Sequence, residues 1–196
     1  FFQAWCRGET GYPLIDACMR FLHKGGWINF RMRAMLVSFA SYHLWLHWRK
    51  PSEHLARLFT DFEPGIHFSQ IQMQSGVTGI NAIRIYSPVK QSKDQDPEGV
   101  FIRQNVPELA AIDSGFIHEP HLMPPLLQKA QNVEIGKHYP EPLVDHISAY
   151  KAAQKKIFSW KNQAHVKELS KKVYRKHGSR KNQFFPSRKT NSTAKS

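Results

Sequence analysis

The sequence predicts an all-α protein: a helical bundle over residues 1–145, a basic helical extension over 146–177 and a basic tail over 178–196. Three observations predict it. Apolar residues recur at three- and four-residue steps in several segments, the period of helices that bury one face. Proline and glycine punctuate those segments where helices start and stop. Strand-like alternation is confined to Ile83, Arg84, Ile85 and Tyr86, too short a run to build a sheet.

Taken in order, the chain opens on Phe1-Phe2-Gln3-Ala4-Trp5, an apolar run without an initiating Met, which reads as a fragment of something longer. Tyr12-Pro13 starts a helix in which Leu14, Ile15, Cys18, Met19 and Leu22 share a face until Gly25-Gly26 stops it. A second helix is predicted from Asn29 to Leu46, with Met32, Met35, Leu36, Phe39 and Leu46 on one face. A third starts at Ser52 and Glu53 after Pro51 and ends near Pro64, and a short fourth covers Phe68 to Gln74. Gly76, Gly79 and Pro88 then mark a long turn-rich connection to short segments at Glu98–Gln104 and Pro107–Ala111. From Asp145 to about Lys176 the pattern is helical again, with Ile147, Tyr150, Ile157, Phe158, Trp160, Val166, Leu169 and Val173 as contact positions. Beyond Gly178 the Ser, Arg, Lys, Asn and Thr composition predicts disorder.

Charge divides the chain sharply. Lys+Arg number 28 against 15 Asp+Glu, a formal charge of +13, yet residues 1–150 hold 14 of each. The whole excess sits in 151–196, whose only acid is Glu168. That excludes a uniformly basic shell and leaves a nucleic-acid arm or a solvated tail. Two cysteines, Cys6 and Cys18, without a C-x-x-C spacing exclude a disulfide scaffold and point to a reducing cytoplasm. Arg31, Arg33, His43 and His47 interrupt the most apolar stretch, so no membrane partner is expected.

Candidate chemistry is sparse in the residues themselves. His43 and His47 stand at helical i, i+4 spacing, but without H-E-x-x-H or a third ligand they read as surface or packing histidines, and no metal is expected. No P-loop, G-x-G-x-x-G or G-x-S-x-G motif occurs. Trp27, Tyr42, Trp45 and Trp48 crowd one region; core packing explains them, and so does passage of electrons to a buried chromophore. Arg33 lies one helix from Asp61 and Glu63, and a buried guanidinium requires a carboxylate partner.

The run from Trp5 to Arg20, through Gly8, Thr10, Gly11, Tyr12, Pro13, Asp16, Ala17 and Met19, resembles the W-x-x-G-x-T-G-Y-P-x-x-D-A-x-M-R stretch of DNA photolyases and cryptochromes. Gly26-Trp27, Arg31-Met32-Arg33, Trp48-Arg49, Arg84 to Pro88, Asp96 to Gly99, Phe101 to Gln104 and Pro107 to Leu109 continue the resemblance in order over roughly residues 4–145. It implies an all-helical FAD-binding domain of which this chain is the C-terminal part, without the family's N-terminal α/β antenna domain or the early segment that holds the pyrophosphate. It further implies that Arg33 and Asp61 form the ion pair beside the flavin ring and that Glu63 is the second acid there. By the same resemblance Trp27 stands near the cofactor, Trp48 is the middle member of a tryptophan electron-transfer chain, and Arg31 contacts DNA. His67 falls where the residue facing flavin N5 is commonly Asn, and Phe30 where photolyases generally carry Asn. Ile71 replaces the tryptophan nearest the flavin, and Met73 replaces one that packs on damaged bases.

The resemblance implies a light-driven DNA repair photolyase whose partner, DNA, meets the site mouth and the basic tail. A cryptochrome-like photoreceptor would instead signal to a protein partner through that tail, and a fragment lacking the phosphate-binding half would hold no flavin alone.

Overall fold

A computed structural model describes residues 1–79 and 81–178 of the chain. Among them ten α-helices form, no strand does, and one isolated bridge joins Ile135 to Tyr139. The helices are α1 (Phe2–Arg7), α2 (Pro13–Gly25), α3 (Phe30–Ser38), α4 (Arg49–Leu58), α5 (Pro64–Gln74), α6 (Pro88–Gln95), α7 (Val100–Asn105), α8 (Pro125–Ala130), α9 (His146–Lys161) and α10 (Ala164–His177). No described helix is long and apolar enough to cross a membrane.

The bundle is built around α2. Pro13 occupies its first turn, where a missing N–H costs nothing, and Gly26 closes its end at φ 69° with an N–H donated to the Leu22 carbonyl at 2.8 Å. Ile15, Cys18, Met19 and Leu22 are fully buried where α2 packs on α1, α3, α6 and α7. Both cysteines are free thiols in this core.

The specific run Thr10 to Asp16 turns out to be a clasp. Asp16, fully buried, accepts hydrogen bonds from the Thr10 N–H (2.8 Å) and hydroxyl (2.6 Å), the Gly11 N–H (3.1 Å) and the Tyr139 hydroxyl (2.5 Å). Tyr12 donates its hydroxyl to the Val144 carbonyl at 2.7 Å, and the Leu143 N–H reaches the Thr10 carbonyl at 3.0 Å. Gly11 is required because a Cβ there would lie 2.5 Å from the Glu141 backbone, in addition to its φ of 78°. The clasp fastens the segment before α9 onto the start of α2.

Several boundaries differ from the sequence reading, each for a local reason. The helix expected over 29–46 stops at Ser38 and continues as a π-turn, Phe39–His43, which shifts the register of everything after it. The third helix begins earlier, at Arg49, because Pro51 sits in its first turn, and ends at Leu58, where Phe59 turns extended. The fourth begins at Pro64 rather than Phe68. Pro88 starts a helix in the connection expected to be turn-rich, with Ser87 capping the Lys90 N–H at 3.2 Å, and α1 and α8 are short helices with no sequence expectation behind them. Ile83–Tyr86 forms no strand. The single helix expected over 145–176 is two, α9 and α10; Ile147, Phe158, Trp160, Leu169 and Val173 are exposed rather than packed, Tyr150 and Ile157 are half-buried, and Val166 is buried. The expected tail lies outside the described residues beyond Gly178.

Candidate functional site

The end of α2, the start of α3 and the loop between α4 and α5 converge on one cleft. Their junction is set by Gly26, whose carbonyl accepts from the Thr60 N–H (2.9 Å) and the Thr60 hydroxyl (3.2 Å). A Cβ at Gly26 would meet Thr60 Cγ2 at 2.4 Å, so the close approach that aims the next residue, Asp61, depends on glycine. Glu63 then caps α5, its carboxylate accepting the Ile66 N–H at 3.0 Å before Pro64.

Arg33 spans the cleft wall. Its Nε donates to the Ile28 carbonyl at 2.8 Å, one Nη donates to both Asp61 oxygens at 2.8 and 3.0 Å, and the guanidinium carbon lies 4.1 Å from the Phe59 ring centroid. This is the pair the sequence anticipates, but it is not buried: the Arg33 and Asp61 side chains are 24% and 45% exposed. An ion pair open to water to that degree adds about 1 kcal/mol or less to stability, so its net effect is to fix two side chains in one geometry.

His67, buried on the adjoining face of α5, packs edge-on against Phe59, Phe62 and Phe68. Its Nε2 lies 2.9 Å from the Ser52 carbonyl, which assigns the proton to Nε2 and leaves Nδ1 as a hydrogen-bond acceptor. Burial holds the imidazole below its ordinary pKa, with Arg33 adding to the depression and the Ser52 carbonyl opposing it. At neutral pH His67 is therefore uncharged.

The cleft encloses about 210 Å³, and Phe30, Arg33, Asp61, Glu63, His67 and Ile71 are among the residues that line it. Gln70 also lines it, and its side-chain oxygen is buried without a partner among the described residues. Four sequence-predicted residues thus come together. Trp27, Arg31, Trp48 and Met73 are not among the lining: Trp27 and Arg31 are exposed, Arg31 reaching toward Gln91 at 3.4 Å, and Trp48 lines a different cleft. Phe59, Ser52, Gly26 and Gln70 carried no sequence signal of a role here. Among the described residues no cluster of His, Cys, Asp or Glu has metal-binding geometry.

The profile of the FAD binding domain of DNA photolyase matches residues 1–159. The chain belongs to the photolyase/cryptochrome FAD-binding family. Within that family it is 37% identical over 164 residues to a deoxyribodipyrimidine photo-lyase of Agrobacterium fabrum, a match covering 79% of this chain and 34% of the relative. It is 39% identical to Cryptochrome-2 of Arabidopsis thaliana, with 80% of this chain and 26% of that protein covered. The crystal structure of a bacterial class III photolyase from Agrobacterium tumefaciens superposes with a TM-score of 0.76 at 33% identity, covering 83% of this chain and 34% of that one. The chain spans about a third of the length of the photolyase relatives it matches. The helical architecture expected from the sequence agrees with this.

The family binds FAD, and the cleft suits the ring end of that cofactor. Pockets that enclose whole drug-sized ligands run to about 300–1,000 Å³. The 210 Å³ of this cleft lies below that range, nearer to a ring system than to a whole dinucleotide. The unpartnered Gln70 oxygen, the Arg33–Asp61 pair and the neutral His67 present mixed donors and acceptors of the kind a flavin ring edge offers.

Proposed function

We propose that this chain supplies the flavin-ring wall of a light-driven, photolyase-like DNA repair protein. The observation that carries the reading is the Arg33–Asp61 pair set beside an uncharged His67, held through its Nε2 by Ser52, in one aromatic cleft. When bound, reduced FAD would supply an electron on absorbing light, which splits a pyrimidine lesion and then returns, so the net redox change is zero. In this reading Arg33 orients the ring edge and holds nearby negative charge. Asp61 fixes Arg33, Glu63 holds the α5 terminus in place, and the His67 Nδ1 would be the acceptor offered to a ring N–H.

Support for DNA as the partner comes from the family's photolyase members, from the exposed Arg31 and from the excess of basic residues after 150, which attract phosphates irrespective of sequence. Trp48 remains the proposed electron-transfer tryptophan, and Ile71, aliphatic and cleft-lining, offers no redox-active ring between it and the flavin. The second reading, a cryptochrome-type photoreceptor, is supported by an identity to Cryptochrome-2 of 39%, comparable with the 37% to the photo-lyase of Agrobacterium fabrum.

The two separate under blue light. Protein loaded with reduced FAD and mixed with an oligonucleotide carrying a cyclobutane pyrimidine dimer should restore the ultraviolet absorbance of the pyrimidines, in light only and without consuming reductant. Arg31→Ala should weaken oligonucleotide affinity while leaving flavin content intact. Bound flavin with no light-dependent restoration would transfer the function to the photoreceptor reading.

A further inference from the structure

A second cleft shares no lining residue with the first. It encloses about 510 Å³ between the π-turn, the start of the loop after α5, and α9. Its walls are the rings of Trp45, Trp48 and Trp160, its cations are Lys156 and Lys161, and no acidic side chain lines it among the described residues. The Lys156 ammonium stands 4.5 Å from the Trp45 ring centroid. The Arg33–Asp61 pair uses none of these groups, and the flavin reading shares only Trp48 with them.

Four features mark this cleft as built rather than left over. Tyr42, only 4% exposed, lines it with a buried hydroxyl that has no hydrogen-bond partner among the described residues, and the Ser41 hydroxyl beside it likewise has none among them. Orphan buried polar groups are rare in native proteins and call for an occupant that satisfies them. The backbone that presents them is a π-turn, a geometry concentrated at functional sites, and Trp45 follows it at φ 52°, in the left-handed region that a bulky residue seldom adopts. Gly76, at φ 75°, faces the Tyr42 hydroxyl, and a Cβ there would fall 2.6 Å from that oxygen. The glycine is what leaves the hydroxyl room.

From these features we propose that the cleft binds a planar heteroaromatic ring carrying an anionic group, the chemistry of a nucleoside monophosphate. Exposed tryptophan faces stack on any flat π-system, the two lysines take the anion as point charges, and the Tyr42 and Ser41 hydroxyls give the ring edge its hydrogen bonds. The volume falls within the range of sites that enclose small ligands.

Equilibrium dialysis of the 196-residue chain against 5′-AMP and adenosine tests the assignment. AMP should bind saturably and adenosine at least about tenfold more weakly, since the lysines act on the phosphate. Lys156→Gln with Lys161→Gln, at positions outside the core, should weaken AMP about tenfold or more and leave adenosine unchanged. Tyr42→Phe separates a binding role from a packing one: removing an orphan hydroxyl leaves Tm unchanged or raised in either case, but weakens AMP only if the hydroxyl meets the ligand. The proposal is overturned if adenosine matches AMP, if the lysine variant or Tyr42→Phe binds AMP like wild type, if AMP binding is lost in Arg33→Ala instead, or if no saturable binding occurs at millimolar AMP.

Discussion

Tyr139→Phe removes one hydroxyl and nothing else from the clasp that holds the segment before α9 to α2. Tyr139 is buried, and its hydroxyl donates to Asp16 Oδ2 at 2.5 Å across a sequence separation of 123 residues. A hydrogen bond to a charged acceptor contributes about 1.5–3 kcal/mol, and the substitution strands no acceptor because the Asp16 carboxylate keeps the donors of Thr10 and Gly11. The expected loss is therefore about 2 kcal/mol, or about 4–8 °C in Tm for a chain of this size. Asp16→Asn should cost more, since its amide group meets the Gly11 N–H donor head-on, and the double variant should be non-additive because the two residues share one bond. Burial raises the Asp16 pKa to about 6, so the native chain holds this proton more tightly than the unfolded one. The stability this group contributes is complete below its unfolded pKa near 3.8 and is lost as pH rises through 6. Going from pH 7.5 to 5, wild type should thus gain about 1 kcal/mol on Asp16→Asn. Urea unfolding at the two pH values reads both quantities. A Tyr139→Phe midpoint within about 0.5 kcal/mol of wild type at an unchanged slope would refute the clasp as an energetic element.

Two further outcomes follow from the site's supports. Gly26→Ala places a Cβ against Thr60 at a left-handed position, so it should destabilise by more than about 1 kcal/mol and disturb Asp61, read as a lower Tm together with weaker FAD binding. Glu63→Ala removes the cap of α5 and should cost about 1 kcal/mol by urea unfolding, whereas Glu63→Asp should retain most of it.

The sequence makes the helical class and α2 legible because periodicity, Pro13 and Gly26 agree with one another. It hides the purpose of its most specific run. Thr10 to Asp16 identifies the family, but its partners Tyr139 and Val144 lie more than 120 residues away, beyond the reach of any local pattern. The π-turn is invisible to a 3.6-residue period, and Pro88 reads as a turn although proline is equally at home at a helix start. Arg33 and Asp61 are legible through the family resemblance, whereas their half-exposure, the Phe59 ring beneath the guanidinium and the Ser52 carbonyl that sets the His67 tautomer are set by tertiary packing.

Titration of FAD into wild type, Arg33→Ala and Arg7→Ala, each first shown to be folded by circular dichroism, shows whether Arg33 and its neighbours form the wall of a flavin site. Arg7 serves as the control because its ion pair with Glu9 is exposed and remote from the cleft. Loss of a charge-assisted contact is worth about 1.5–3 kcal/mol, so Arg33→Ala should bind FAD at least about tenfold more weakly while Arg7→Ala stays within about twofold of wild type. Equal affinity in the two variants, or no saturable binding by wild type, would contradict the account.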